Sequence, residues 1–495
     1  MTNLIGNTPV LIILLPLCSA LLCLALTAVS KNLGSLVVKI SCLGSLVLSV
    51  IQLCMVVSGG TIHYAIGNYA VPYGIEFVID SLNAVLLVAF SLMGFLTVIF
   101  AGNFSDNKNH FKTAGAYAEL ALLITGILGM TSTGDVFNLY VFLEITSLSA
   151  YCLISLGGSR GVVSAYRYML VGTIAATFYL LGIGILYATT GTLNMGDMSN
   201  ILNEGGHDGA MLVAMCFLIP AFGIKMALFP FHGWQPSAYT HAEPGSRPLV
   251  TGVMGKVPAL AMFRFFYCIY GTDFRFFRIA LMLLGILSVI GMIYGSLMAM
   301  GQNDIRKILA YSSVAQIGYI SLGFAIGTPI ALAGSFLHML GHAFMKGGLF
   351  FCTGAIRYKY GTVDINDFGR IYKKMPLTCG LLVIAALSMI GIPPTAGFFS
   401  KWYLALGAAG QHEWIYIAVL VLSSLLNAVY FFKLIEKVFI RQSSDLKTRW
   451  ESEVFELPVT LIIPIVVCFL AILGIGLFNV KIIDVLLMTL EGVGL

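Results

Sequence analysis

Charge is scarce in this sequence. Only 10% of its 495 residues are Asp, Glu, Lys or Arg, against about 25% in an ordinary soluble domain. With so little polar surface available to cover a globule of this size, the composition argues against a soluble enzyme or a nucleic-acid-binding protein. The ten cysteines stand singly along the chain. None forms the close pairs that hold zinc or an iron–sulfur cluster, so they read as small apolar residues within helices. A phosphate-binding loop is missing as well: the nearest match, Gly252 to Lys256, has the wrong spacing and is followed by Val257. Met1–Val10 contains no Lys or Arg, so the first apolar run lacks the basic start of a cleavable signal and is read as a membrane helix.

Apolar sequence, by contrast, makes up 59% of the chain. At roughly 20 residues per crossing, that allows a ceiling of about 14 to 15 spans. The runs and their breaks place fourteen, the first seven near 9–30, 35–58, 80–104, 115–133, 135–156, 163–189 and 210–238. The second seven fall near 248–270, 278–300, 306–326, 328–356, 375–407, 413–436 and 457–479. Of the 27 Lys and Arg residues, eighteen lie in or beside the odd-numbered loops, including Lys31, Lys108, Arg370, Arg441, Lys447 and Arg449. Three lie in the even loops and tails (Arg275, Arg278 and Lys481). This asymmetry predicts that the odd loops are cytoplasmic and both termini outside, in a cytoplasmic (inner) membrane. It also accounts for the net charge of +5 as topology, with no acidic partner required.

Two spans are long and interrupted by proline: the seventh at Lys225 to Pro230, the twelfth at Pro393-Pro394 before Lys401. Irregular backbone at membrane depth survives only where protein or a wet cavity satisfies it. Broken helices at matching places point to inverted repeats around a midplane ion site. Spans 4–8 and 9–13 form such repeats, pairing Lys225 with Lys401 and Lys256 with Lys433. The expected division is a three-helix segment (1–114), two five-helix repeats (115–270 and 271–440) and a last helix with a short tail (441–495). Glu144 breaks the symmetry, because the matching span ten offers only Gln316 and Tyr311.

An ionisable side chain in hydrocarbon costs at least about 2.5–3.5 kcal/mol. The deep ones here are Glu144, Lys225, Lys256, His338, His342, Lys346, Lys401 and Lys433, with Glu119 and Arg264 nearer span ends. Snorkelling or helix pairing accounts equally well for Glu119, Arg264 and Lys433, but poorly for Lys225 and Lys401 beside helix breaks. A lone carboxylate such as Glu144 calls for a cation from another helix. His338, His342 and Lys346 are four apart and share one helix face. The His-x-x-x-His spacing also suits a metal, but no nearby carboxylate or cysteine completes a site and Lys346 would repel a dication. A proton relay is the preferred reading, since histidine titrates near neutral pH and lysine, unlike arginine, gives up its proton readily when buried.

Gly134-Asp135-Val136-Phe137-Asn138-Leu139-Tyr140-Val141-Phe142-Leu143-Glu144 resembles the fifth-helix motif of antiporter-like subunits. These are the proton-pumping subunits of respiratory complex I, of membrane-bound hydrogenases and of Mrp sodium/proton antiporters. Gly223-Ile224-Lys225 through Pro230-Phe231-His232-Gly233-Trp234-Gln235-Pro236, then His241-Ala242-Glu243-Pro244, resembles their broken seventh helix and its loop. Span eleven and Pro393-Pro394 to Lys401 fit the same plan, so the likeness covers nearly the whole chain. The resemblance implies a Glu144–Lys225 pair, Lys256 as central relay, a histidine segment at His338, His342 and Lys346, and Lys401 as the exit-side lysine. His232 and His241 are placed at structural or partner contacts ahead of proton uptake.

The resemblance also implies partner membrane subunits, further antiporter-like ones among them. Protons and sodium ions are the transported species, and no cofactor sits in this chain. The short tail lacks the long lateral helix of the largest complex I member, and in this the chain resembles a D-type Mrp or a hydrogenase subunit; of these, the Mrp component is favoured. A redox-driven pump is the alternative; its flavin, iron–sulfur and nickel centres would sit on other polypeptides. A stand-alone solute transporter is disfavoured by an inventory of titratable groups, and a purely structural scaffold leaves the deep lysines unexplained.

Overall fold

The computed structural model describes residues 6–30, 32–104, 110–369, 371–440 and 457–492. Of the cationic positions used for topology, Lys31, Lys108, Arg370, Arg441, Lys447 and Arg449 lie outside the described residues, as does the 441–456 part of the expected last segment.

The chain is nearly all helical. Its first half runs through α1 (Thr8–Val29), α2 (Leu33–Gly59), α3 (Ser81–Ala101), α4 (His110–Ser132), α5 (Val136–Ser155), α6 (Ser159–Thr190) and the short α7 (Met195–Asn203). It continues with α8 (Asp208–Met226), α9 (Gln235–His241), α10 (Arg247–Gly252) and α11 (Lys256–Phe263), the last extended by a π-helical stretch, Arg264–Tyr270. The second half comprises α12 (Phe277–Met300), α13 (Ile305–Ile326), α14 (Pro329–Tyr360), α15 (Pro376–Ile390), α16 (Ala396–Gly410), α17 (Trp414–Phe439), α18 (Val459–Leu477) and α19 (Asn479–Gly492). Three elements escape the hydropathy pattern: α7, α19 and a hairpin of β1 (Ile62–Ala65) and β2 (Glu76–Ile79), paired antiparallel with Ile62 opposite Ile79. Four-residue strands are too short to register against helical runs.

Among the described residues, twelve helical segments are long and apolar enough to cross a membrane, which makes this a multi-pass membrane protein. The two regions that separate this figure from fourteen have physical reasons. In α14 the apolar run is diluted by His338, His342, Lys346, Arg357 and Lys359, and α15 and α16 have only 15 residues each.

α14 is the central post. Every residue from Ala331 to Ile356 is buried, and α10, α13, α15, α16 and α18 pack around it. A helix polar on one stripe and buried on all sides must bury that stripe against protein. The outward faces of α1, α2, α6, α12 and α17 expose large apolar side chains such as Leu21, Ile40, Val162, Ile279 and Leu425, the surface a bilayer accepts at no cost.

Candidate functional site

The first cluster forms where α5 meets the end of α8. Asp135 caps α5, its carboxylate accepting from Asn138 N at 2.6 Å, and burial raises its pKa above the ordinary carboxylate value. Glu144 and Ser147 follow on one face of that helix, three residues apart. α8 stops at Met226 because Ala227 adopts a left-handed conformation (φ 61°). The carbonyl of Ile224, freed by this stop, accepts from Trp234 Nε1 at 2.8 Å. Lys225 is thereby set in the last turn, 3% exposed, and its Nζ donates to Ser147 Oγ at 2.7 Å and Glu144 Oε1 at 3.3 Å. Tyr151 and Tyr168 stand beside Ser147 and meet edge-on, ring centroids 4.7 Å apart. Gly172 leaves room for both: a Cβ there would lie 2.0 Å from the Tyr151 hydroxyl and 3.7 Å from Lys225 Nζ.

Lys256 marks a third helix interruption, between α10 and α11, with Pro258 in the first turn beyond it. Its Nζ donates across the break to Thr251 O at 3.0 Å. Lys256 is near enough to interact electrostatically with Lys346, His342 and His338. Lys346, fully buried, donates to Leu309 O at 2.6 Å and Ser312 Oγ at 2.5 Å.

Further along α14, the rings of His342 and His338 stack with centroids 5.8 Å apart and 14° between planes. His338 Nδ1 lies 2.9 Å from Ser400 Oγ, next to Lys401 in sequence. Lys401 Nζ donates to Met389 O at 3.0 Å, Ile390 O at 2.9 Å and Ser424 Oγ at 3.2 Å. The first two are end carbonyls of α15, which stops at Gly391 (φ 97°). An ammonium set against the negative end of a helix dipole is a natural pairing. Lys401 Nζ also sits 4.7 Å over the Tyr319 ring, whose other neighbour is His338 at 5.4 Å.

The remaining candidates lie apart. Lys433 donates to Met300 O, Gln302 O and Asn303 Oδ1 at 3.1–3.3 Å, closing the C-terminal end of α12. His232 packs against Phe229 and Tyr294. His241 Nδ1 reaches Ser164 Oγ at 3.2 Å and Ser237 O at 3.0 Å. Glu119 faces Ser149 and Cys152 of α5. Arg264 forms an ion pair with Asp80, the N-cap of α3. The sequence reading missed the hydroxyl partners Ser147, Tyr151, Tyr168, Ser312, Tyr319 and Ser424. Only Ser147, three residues from Glu144, carried a positional signal.

Glu144 differs from its expected deep burial: its side chain is 26% exposed, against 3% for Lys225. The carboxylate bonds Lys225 on one side and opens to the outside of the chain on the other.

A multi-pass helical protein in which a carboxylate–lysine pair, three further buried lysines and two stacked histidines follow one another belongs to the class of ion-handling membrane subunits. A family model described as NADH:quinone oxidoreductase/Mrp antiporter, TM, matches residues 133–427, and the chain belongs to this family. It is 42% identical over 97% of both chains to the N subunit of the NADH-quinone oxidoreductase of Desulforudis audaxviator. It is 30% identical to the D subunit of the Na(+)/H(+) antiporter of Bacillus subtilis, over 85% of this chain and 84% of that one. Among solved structures, a chain of the membrane-bound sulfane sulfur reductase, an archaeal respiratory membrane complex, superposes with a TM-score of 0.89 at 27% identity, covering 97% of this chain and 96% of its own.

Proposed function

We propose that this chain translocates protons as an antiporter-like subunit of a multi-subunit membrane complex. Protons pass from the Glu144–Lys225 pair to Lys256, then along Lys346, His342 and His338 to Lys401. One observation carries the reading. Lys225 alone of the four lysines of the relay has a carboxylate partner within 4 Å among the described residues, while Lys256, Lys346 and Lys401 are held by neutral oxygens. A proton arriving at one end therefore finds successive amines able to accept and release it, and a change in the Glu144–Lys225 contact alters how firmly the first is held.

The same reading takes α14 and the α15–α16 pair as two further crossings, giving fourteen. It groups residues 115–270 and 271–440 into two inverted repeats around the relay, with 1–114 and 441–495 as flanking segments and both termini outside an inner membrane. The charge asymmetry of the loops and the helix stops at Lys225 and Lys401 support this arrangement. The half-open Glu144 supports a neighbouring protein on the outer face of α5, because a carboxylate edge facing lipid at that depth is costly.

The driving reaction has two candidates. Mrp-type sodium/proton antiport is the sequence expectation. The higher identity and fuller coverage against the oxidoreductase relative than against the antiporter relative favour a redox-driven pump instead. Proteoliposomes holding the purified complex separate them. Proton movement that follows an added electron donor and quinone supports the pump, and proton movement that follows an imposed sodium gradient without electron transfer supports antiport. Absence of proton movement under both regimes contradicts the reading altogether.

A further inference from the structure

Two lines of polar side chains join Lys346 to Lys401. The first is the histidine pair. The second runs along α13 and α17 and touches neither histidine through a hydrogen bond. Lys346 Nζ donates to Ser312 Oγ at 2.5 Å, and Ser312, whose own hydroxyl donates to Leu309 O at 2.9 Å, neighbours the Tyr430 hydroxyl. That hydroxyl donates to Asn427 Oδ1 at 2.7 Å, and Asn427 Nδ2 donates to the Tyr319 hydroxyl at 3.4 Å. Tyr319 Oη lies 3.4 Å from Ser424 Oγ, which accepts from Lys401 Nζ at 3.2 Å. Ser312, Tyr430, Asn427 and Tyr319 are all fully buried. Ser424, Asn427 and Tyr430 fall three residues apart on α17 and so line one stripe of it.

The two lines differ in chemistry. Serine and tyrosine accept and donate at a single oxygen, so a proton taken from one side can be passed to the other. Asparagine accepts at Oδ1 and donates from Nδ2; passing a proton through it requires the amide to become its imidic acid tautomer. Asn427 sits mid-line, its Oδ1 also accepting from Ser296 Oγ at 3.3 Å. The second line is therefore hydrogen-bonded from Tyr430 to Lys401 and insulated at Asn427. In the histidine line, three of four ring nitrogens (His338 Nε2 and both of His342) make no hydrogen bond to the protein and stay available for proton exchange.

We propose that Asn427 is a positioning residue. It ties Tyr430, which neighbours the Ser312 that holds Lys346, to Tyr319 at the Lys401 end, and keeps that frame from conducting, so that protons take the histidine line. The proposal rests on the proton-relay reading above. The groups facing Asn427 are Tyr319 from α13, Tyr430 from its own helix and Ser296 from α12. Lys346 of α14 and Lys401 of α16 each stand one hydroxyl further out.

The test uses the assembled complex in proteoliposomes, with proton flux per complex recorded against pH. Asn427→Leu frees Tyr319 and Tyr430 and is expected to lower flux about tenfold and to move its pH profile, since Ser424 and Ser312, the hydroxyls that hold the two lysines, lose the tyrosines positioned beside them; lost packing alone would not move the profile. His342→Leu is expected to abolish flux although the frame is intact. Adding Asn427→Asp, whose carboxyl takes and gives a proton, is expected to raise flux in the His342→Leu protein about tenfold or more. Flux above half of the unmodified level in His342→Leu would show that the frame conducts and overturn the proposal. So would an unchanged rate and pH profile in Asn427→Leu, or no gain from Asn427→Asp. Lys225→Ala run in parallel keeps the two ideas apart: full flux there refutes the relay itself, whatever Asn427 does.

Discussion

Lys225 and Glu144 share a hydrogen-bonded ion pair of 3.3 Å in which the lysine is buried to 3% exposure and the carboxylate keeps 26%. The asymmetry gives the two partners different freedoms. Lys225 is fixed at a helix stop and by Ser147, whereas Glu144 has one open side and can turn from the lysine without disturbing the core. The proposed relay needs one member that can alter its contact, and Glu144 is the member of the pair that keeps an exposed side.

Gly172 is predicted to be indispensable for this geometry. A Cβ there would collide with the Tyr151 hydroxyl at 2.0 Å, pushing the ring away from Ser147. Gly172→Ala should reduce proton flux at least about tenfold in assembled complex. Gly184→Ala is the matched control on the same helix, because nothing lies within 4 Å of its Cβ, and its flux should equal that of the unmodified protein.

Lysine chemistry, and not positive charge alone, is predicted to matter at Lys256 and Lys401. Arginine keeps a charge in either place but holds its proton. Lys256→Arg and Lys401→Arg should assemble and yet lose about 100-fold or more of the flux. Flux within twofold of the unmodified level would show that only electrostatic field is required there.

Lys433 is predicted to be structural. Its ammonium satisfies two backbone carbonyls and an amide oxygen at the end of α12. Lys433→Met should cost about 1–2 kcal/mol of stability, read as a lower melting temperature of the complex. Flux per assembled complex should stay within about twofold, a readout that separates capping from relay work.

Much of this arrangement could be read from the residues. The cost of burying charge singled out Glu144, Lys225, Lys256, Lys346 and Lys401, and the four-residue spacing of His338, His342 and Lys346 put them on one face that the structure buries completely. What stayed hidden is of three kinds. The interruption before Lys256 arises from the turn at Val253 to Gly255, and its proline, Pro258, lies beyond the lysine inside the next helix, where it reads as an ordinary helix start. Neutral partners such as Ser147, Tyr319 and Asn427 look like ordinary apolar-helix residues until another helix is brought beside them. The partial exposure of Glu144 depends on which face of α5 the other helices leave uncovered, and one-dimensional periodicity does not report that. Lys433 looked as deep as Lys256, but the end of α12 lies within reach of its long side chain.

The measurement that bears most directly on the central claim is coupled proton movement in vesicles carrying the complex with Glu144→Ala or Lys225→Ala, assembly verified by co-purification of the partner subunits. The relay account predicts that both variants assemble and that neither moves protons above background. Transport at the unmodified rate by both would contradict it.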